Sequence, residues 1–466
     1  MTGWQRIIGR SLVALVAALA VASGAPAAAP RPGSLDQRFG DDGRLTGQIG
    51  CVPVSVAGIE RAGSAGGFRV IGSTERSSPD LPGESGRLIM RGYDRRGRLD
   101  RAVGGTGTVA VSLPGGPAKA SGVARQPDGK LVVVGSVGDD FPDPKQDVFV
   151  ARFHPDGSLD GQFGDGGVVT TDLGALSGEV ARDVVVQPDG RLVVAASGRF
   201  ESGVLYPKRS TDLVVLRYTS AGTLDPDFAS GGVLHVPSES DGAYFVPAGL
   251  VQGSDGTILV GGDTGLTHRD NNTGTIAQVR TDGSLDGIVR FSGQWTSSGM
   301  SFDARRDRIY LAGSMPRMRD GLENVMSVVA VRERDLSLDP GFGVRGLARV
   351  NLPHTEDDFA TAVISDTRGR VVLAGGAAAL PPRQTSGPAP RSRFAVARFT
   401  AAGRLDRRFG RRGMTRVDFP QRQSVAHALL EQPAGRLVVA GIGAGTSRFV
   451  RDSTGCALAV VRLAAR

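Results

Sequence analysis

The side chains best suited to chemistry lie in the short polar stretches between apolar segments: Glu179, Asp241, Tyr244, Trp295, Glu356, Asp357 and Asp358. If they converge at one mouth, the carboxylates could hold a divalent cation, which asks for several oxygen ligands. A pair of them could instead serve as the acid and base of a glycosidase- or lactonase-type hydrolase. Tyr244 and Trp295 offer flat faces on which a sugar could stack. No register is shared among these acids, so a solvated rim is the plainer expectation, with no metal and no cofactor. Asp139, Asp140 and Asp143 lack a recognised ligand spacing and read as a hydrophilic loop.

Several familiar chemistries have no motif. GxSxG, CxxC and a P-loop lysine are missing, and none of His154, His235, His268, His354 or His427 stands in HExxH. The formal charge is +8, carried almost wholly by Arg, since Lys occurs only at 119, 130, 145 and 208. The arginines are scattered and do not interleave with aromatics, which argues against nucleic-acid binding. Two further recurrences invite a catalytic reading: the Asp of a repeated Leu-Asp pair, and Arg152, Arg217, Arg398 and Arg462 in VARF-like segments. Recurrence in repeat after repeat argues for a structural tie between strands.

The elements that would position these residues follow from the repeat. Leu-Asp recurs with its Asp at 36, 100, 160, 225, 286, 339 and 406. Four copies follow LDxxFGxxG, from Leu35, Leu159, Leu338 and Leu405; the copies at Asp100 and Asp286 lack the Phe. Between them stand segments such as ARQPDGKLVVVGS (Ala124 to Ser136), two apolar runs about a Pro-Asp-Gly turn, and VARFHPDGSLD (Val150 to Asp160). Pro presets one φ and Gly supplies a positive one, so each such turn predicts a tight hairpin. Each repeat then holds four short strands, A to D. Strand B is a nearly continuous run of Val, Leu and Ala, as suits a sheet packed on both faces. Strand A is rich in Gly and Ala, as suits crowding near an axis. The expected fold is all-β: a seven-bladed β-propeller with four-stranded blades.

The ends complement one another. The chain supplies a D strand near Gly43 before its first A strand and finishes on a C strand, CALAVVRLAAR from Cys456. An N-terminal outer strand would therefore complete the last blade. Antiparallel pairing of those strands brings Cys51, where the first ends, beside Cys456, where the second begins, and predicts a disulfide across the seam. Arg6 and Arg10, the apolar run Leu12 to Ala22 and Ala25-Pro26-Ala27 read as a cleaved signal peptide over 1–27, leaving one propeller domain over 28–466. The run is shorter than the roughly 20 residues that span a bilayer. A secreted or cell-surface monomer is expected, with no transmembrane segment after cleavage.

The set LDxxFGxxG, QPDGKLVVVG and VARFHPDGSLD resembles the bacterial delta-60 repeat family over essentially the whole chain beyond residue 27. The match is close at Leu159 to Gly167 and Gln187 to Val194, and weak where FDARRDRIYLAG (Phe302 to Gly313) replaces the Pro-Asp-Gly turn. The resemblance implies an exported propeller-like repeat protein of unassigned function and brings no catalytic residues.

Connections from B to C are expected to be long: Thr74 to Ser85, Gly138 to Gln146, Arg199 to Ser210, Thr264 to Thr273, Met315 to Asn324, Ala377 to Ser392 and Gly443 to Thr454. With A innermost they emerge on one face, together with the D-to-A connections. Loops on a rigid scaffold carry function disproportionately. The expectation is a non-enzymatic binding scaffold that presents this face to an extracellular macromolecule or glycan. The alternative is a hydrolase built on the mouth acids.

Overall fold

In a computed structural model the described residues are 30–465, apart from 48–53, 64, 75–85, 140–144, 203–207, 239, 267–268, 292, 318–322, 354, 356, 379–391, 420–422 and 445–455. The chain up to Ala29 and Cys51 thus lie outside the description, as do Asp140, Asp143 and Glu356. Among the described residues there is no α-helix, only 3-10 turns at Ala304–Arg306 and Pro433–Gly435. None contributes a helix long and apolar enough to cross a membrane.

Strand β1 (Arg44–Gly47) comes first. The next sheet is β2 (Val54–Ala62), β3 (Gly67–Thr74), β4 (Leu88–Tyr93) and β5 (Thr108–Val111), followed by β6 (Ala118–Arg125), β7 (Leu131–Asp139), β8 (Lys145–Phe153) and β9 (Val168–Thr171). The set β10 (Ser177–Val186), β11 (Leu192–Ser202), β12 (Lys208–Tyr218) and β13 (Val233–Val236) is joined by the single parallel bridge Thr211 to Tyr244 to β14 (Ala243–Gln252), β15 (Ile258–Leu266), β16 (Arg269–Val279) and β17 (Leu285–Arg290). The bridge Asn324 to Asp357 likewise joins β18 (Thr296–Asp303), β19 (Arg308–Pro316), β20 (Asn324–Arg332) and β21 (Leu347–Val350) to β22 (Asp357–Ser365), β23 (Val371–Ala378), β24 (Ser392–Phe399) and β25 (Met414–Val417). Last come β26 (Gln423–Gln432), β27 (Arg436–Ala444) and β28 (Cys456–Leu463), and their outer partner is β1, with Arg44 opposite Val461 and Gly47 opposite Leu458. No sheet closes on itself through hydrogen bonds. The first strand of each set packs against the first strand of the next, and β26 packs against β2.

Second strands such as β7 and β11 are buried over their first halves because both sheet faces meet a neighbour: Leu131 to Val134 and Leu192 to Ala196 are sealed from solvent. Phe39, Phe163, Phe228, Phe342 and Phe409 of the Leu-Asp segments are buried too. In the copy at Asp100, Val103 takes that place and is equally buried. In the copy at Asp286 the same offset holds Val289, only half-buried, and there the chain pairs at once as the longer strand β17, Leu285 opposite Val279. Two of the connections expected to be long are shorter: pairing continues to Ser202 and Lys208 in one hairpin and to Leu266 and Arg269 in another.

Candidate functional site

The recurrent Arg and Asp meet. Arg152 donates from Nε to Asp160 Oδ2 at 2.7 Å and from Nη1 to Ser220 O of the following sheet at 2.6 Å, and its guanidinium lies 4.6 Å over the Phe163 ring. Arg217 repeats this on Asp225 (2.7 Å), Thr281 O (2.5 Å) and Phe228. Arg398 does so on Asp406 and Phe409. Burial would raise the Asp160 carboxyl, but hydrogen bonds from Lys130, the Gln162 backbone and Arg152 outweigh it and hold it at about 2. The Arg is missing at Gly92, Gln278 and Val331; at the last of these Arg308 reaches Asp339 from the neighbouring strand and lies over Phe342. A buried, ring-stacked guanidinium shared between a carboxylate and a carbonyl of the next sheet suits a fixed tie.

The mouth acids divide. Glu179 is buried and accepts from Leu173 N at 2.7 Å and Ala175 N at 2.8 Å; Asp358, with no exposed surface, accepts from Leu352 N at 2.7 Å over the same six-residue reach. Burial pushes both carboxyls up to about 6. Both therefore clamp the connection that leads into their own strand. Asp357 accepts from Asn324 Nδ2 at 2.9 Å and Asp241, exposed, accepts from Arg209 N at 2.8 Å. Tyr244 donates to Asn272 Oδ1 and lines a cavity of about 310 Å³ with Thr264 and Thr273. Trp295 departs from expectation: it is 3% exposed, packed with Leu259, Ile276 and Leu311, so its ring is closed to a stacking ligand. Gly274 makes room for it, since a Cβ there would stand 2.4 Å from the indole. Carboxylate oxygens of Asp147, Asp172 and Glu179 lie within 4.8 Å of one another, the only such group of candidate metal ligands among the described residues.

A second polar locus is not apparent in the motifs. Every first strand carries a register shift at the matching place against its second strand, β10 having a further one between Ser177 and Val180, and the extra residue at that place is, in chain order, Ala57, Ser121, Arg182, Ala248, Ser298, Thr361 or His427. A β-bulge re-aims the extra side chain, and all of these line one channel of about 620 Å³. The next residue is Gly or Ala except at Asp183, because the following first strand lies against it: a Cβ on Gly122 would stand 2.9 Å from Asp183 Cα. Asp183 instead reaches across, accepting from Leu250 N at 3.0 Å, and burial raises its carboxyl to about 6. Glu60, also in the channel, is raised by burial to about 7. The signal in the sequence is the break at Arg182 and His427 in a tier otherwise small.

Fold and repeat together define a β-propeller repeat protein. Residues 126–163, 187–228 and 253–287 match the family described as "Domain of unknown function (DUF5122) beta-propeller". No curated protein matches the chain. Among solved structures it is similar to the polysaccharide lyase Uly1 (11% identity, covering 87% of this chain and 89% of that one, TM-score 0.43). It is similar also to the Dos1 propeller (9%, 91% and 94%, TM-score 0.43). A third is an α-L-arabinanase of Penicillium chrysogenum (10%, 73% and 91%, TM-score 0.43). At these identities the likeness concerns the fold alone.

Proposed function

We propose that this chain is an exported, non-enzymatic scaffold: a seven-bladed β-propeller, closed by its N-terminal outer strand, that presents the second-to-third-strand connections to a macromolecule or glycan. The observation that carries the reading is the commitment of the recurring charges to architecture. Arg152, Arg217, Arg398 and Arg462 each bind their Asp, and Glu179 and Asp358 hold main-chain N–H groups, so the recurring carboxylates and these two mouth acids are engaged in holding the fold. Closure is supported by β1 on β28 and by Gly40 N donating to Arg96 O at 2.9 Å, the bond that Gly164 N makes to Ala221 O between consecutive sheets. Export rests on the basic and apolar pattern of residues 1–27, and the Cys51–Cys456 disulfide on the approach of β1 to β28, whose first residue is Cys456.

The test replaces the Ala378 to Ser392 and Thr74 to Leu88 connections with two-residue turns and compares the variant with the parent on a glycan array and on isolated cell envelopes. Binding that falls at least tenfold with an unchanged melting temperature supports the scaffold. Undiminished binding, or turnover of lactone or glycoside substrates by the parent, overturns it.

A further inference from the structure

Arginines scattered along the sequence are brought together at one junction. Between the sheet that holds β1 and β28 and the sheet β2 to β5, Arg38, Arg95, Arg96, Arg436 and Arg462 line a cavity of about 420 Å³. Among the described residues, no Asp or Glu lines it. Its wall is held in place: Arg462 and Gln432 are buried, Arg462 donates from Nε to Asp36 Oδ2 at 3.0 Å and from Nη1 to Arg95 O, and Gln432 donates from Nε2 to Gly66 O at 2.6 Å. Arg436 Nε stands 3.2 Å from the same Asp36 oxygen, and Arg38 N donates to Asp36 Oδ1 at 3.2 Å. We propose that this cavity binds the diphosphate group of a small molecule, at a site independent of the loop face.

The repeat shows which of these arginines the fold needs. Arg436 and Arg462 hold Asp36 as Lys130 and Arg152 hold Asp160. Arg95 and Arg96 have no such duty. Gly40 N donates to Arg96 O at 2.9 Å, and the matching bonds elsewhere end on Asp156, Ala221, Asp282, Ala402 and Pro32, so the turn asks for a carbonyl and not for a basic side chain. The residues before these are Pro155, Ser220, Thr281, Ala401 and Arg31, so none of those turns pairs two arginines. Arg38 stands where other copies have Gln162, Asp227, Gly341 and Arg408. Among the described residues, no hydrogen bond or ion pair engages the side chains of Arg38, Arg95 or Arg96.

Even with Asp36 and Asp94 counted, positive groups outnumber negative ones five to two, and Asp94 already accepts from the Arg96 and Arg98 N–H groups. Like charges gathered in one concavity repel, and a polyanion seated among them removes that repulsion. The guanidinium fork also matches phosphate oxygens. A carboxylate, with one charge, leaves most of the excess unanswered, whereas two linked phosphates meet it. Gly66 and Pro433 belong to first-to-second-strand turns and Arg95 to a third-to-fourth-strand turn, so the cavity opens on the face opposite the second-to-third-strand connections.

Pyrophosphate, inorganic phosphate and acetate are the probes, titrated by calorimetry into the full chain at pH 7.5 and constant ionic strength. Pyrophosphate binds the parent at least tenfold more tightly than either of the others. Arg95→Ser combined with Arg96→Ala gives the turn the pair that the fold uses at Ser220 and Ala221, so this variant keeps its melting temperature while its pyrophosphate binding falls at least tenfold. Arg408→Gln, which removes one charge at another junction, leaves that binding unchanged. Absence of pyrophosphate binding in the parent, or equal binding by the parent and the double variant, overturns the proposal. An equal loss in Arg408→Gln reduces the effect to net charge and overturns it as well. Phosphate or acetate binding as tightly as pyrophosphate overturns the choice of ligand class.

Discussion

Arg462 donates from Nε to Asp36 Oδ2 at 3.0 Å across 426 residues of chain, the contact that Arg152 and Asp160 make across eight. The same guanidinium lies 4.6 Å over Phe39 and bonds Arg95 O in the next sheet. The junction between the chain's two ends is therefore built from the tie used inside the repeat.

Removing the arginine leaves a buried carboxylate with only a partly exposed partner, Arg191 at 3.0 Å from Asp225 or Arg436 at 3.2 Å from Asp36. Arg462→Met and Arg217→Met should each cost up to about 3 kcal/mol, read as a fall in melting temperature. Lysine at either position restores little, because an ammonium cannot serve the carboxylate, the carbonyl and the ring face together. Equal stability of Arg217→Met and the parent would refute the tie.

Stability should peak on the acid side of neutrality. Burial raises Glu60 to about 7 and Glu179, Asp183, Asp263 and Asp358 to about 6. A carboxyl raised on folding stabilises fully below its ordinary value near 4 and loses that contribution as pH climbs through 6 to 7. Asp160, lowered to about 2, acts oppositely, stabilising above 4 and losing its contribution as pH falls through 2. Melting curves from pH 2 to 9 should thus show a maximum near pH 4 to 5 and a lower value at pH 8. A monotonic rise to pH 8 would contradict the burial of these groups.

The first strands leave no room beside the bulge. Gly122→Val would drive its Cβ against Asp183 Cα at 2.9 Å and Arg182 O at 3.1 Å, both backbone atoms of the next first strand. Overpacking of this kind costs about 1–3 kcal/mol. Gly122→Ala should cost less, since Ala362 and Ala428 occupy the matching place elsewhere. Chemical denaturation of the two variants checks the order.

One seam is held differently. The Leu-Asp segment of β17 lacks the buried ring, and among the described residues Asp286 pairs with exposed Arg280 alone, while Glu333 of the next sheet accepts from Ser254 Oγ at 2.8 Å. Exposed ion pairs contribute little. Hydrogen exchange should accordingly be faster in Leu285–Arg290 than in Val168–Thr171, by tenfold or more. Equal protection would show the seam to be as strong as the others.

Much of the fold was legible because turn chemistry is local: Pro-Asp-Gly and LDxxFG carry their own φ requirements, and the strands between them follow. Val103 standing in for Phe was hidden, since burial and not identity is what that position demands. Arg308 replacing a missing Arg was hidden as well, because it comes from an adjacent strand that only the register of β19 on β20 brings alongside. The site was less legible than the fold. Trp295 looked like a rim residue until Gly274 opened space beneath it, and Glu179 looked like a ligand until Leu173 and Ala175 turned their N–H groups towards it. The channel tier depends on bulges, which leave no local mark beyond a Gly or Ala after all but the one at Arg182.

The union of the chain's ends underlies the whole architecture, and amide exchange at those ends tests it most directly. Gly33 N donates to Ala464 O at 2.9 Å and Asp36 N to Arg462 O at 2.8 Å, and β1 pairs with β28 beyond them. Joined ends predict that the Gly33 and Asp36 amides exchange as slowly as those of β28. Exchange at the rate of an unstructured tail, with β28 still protected, would contradict that union.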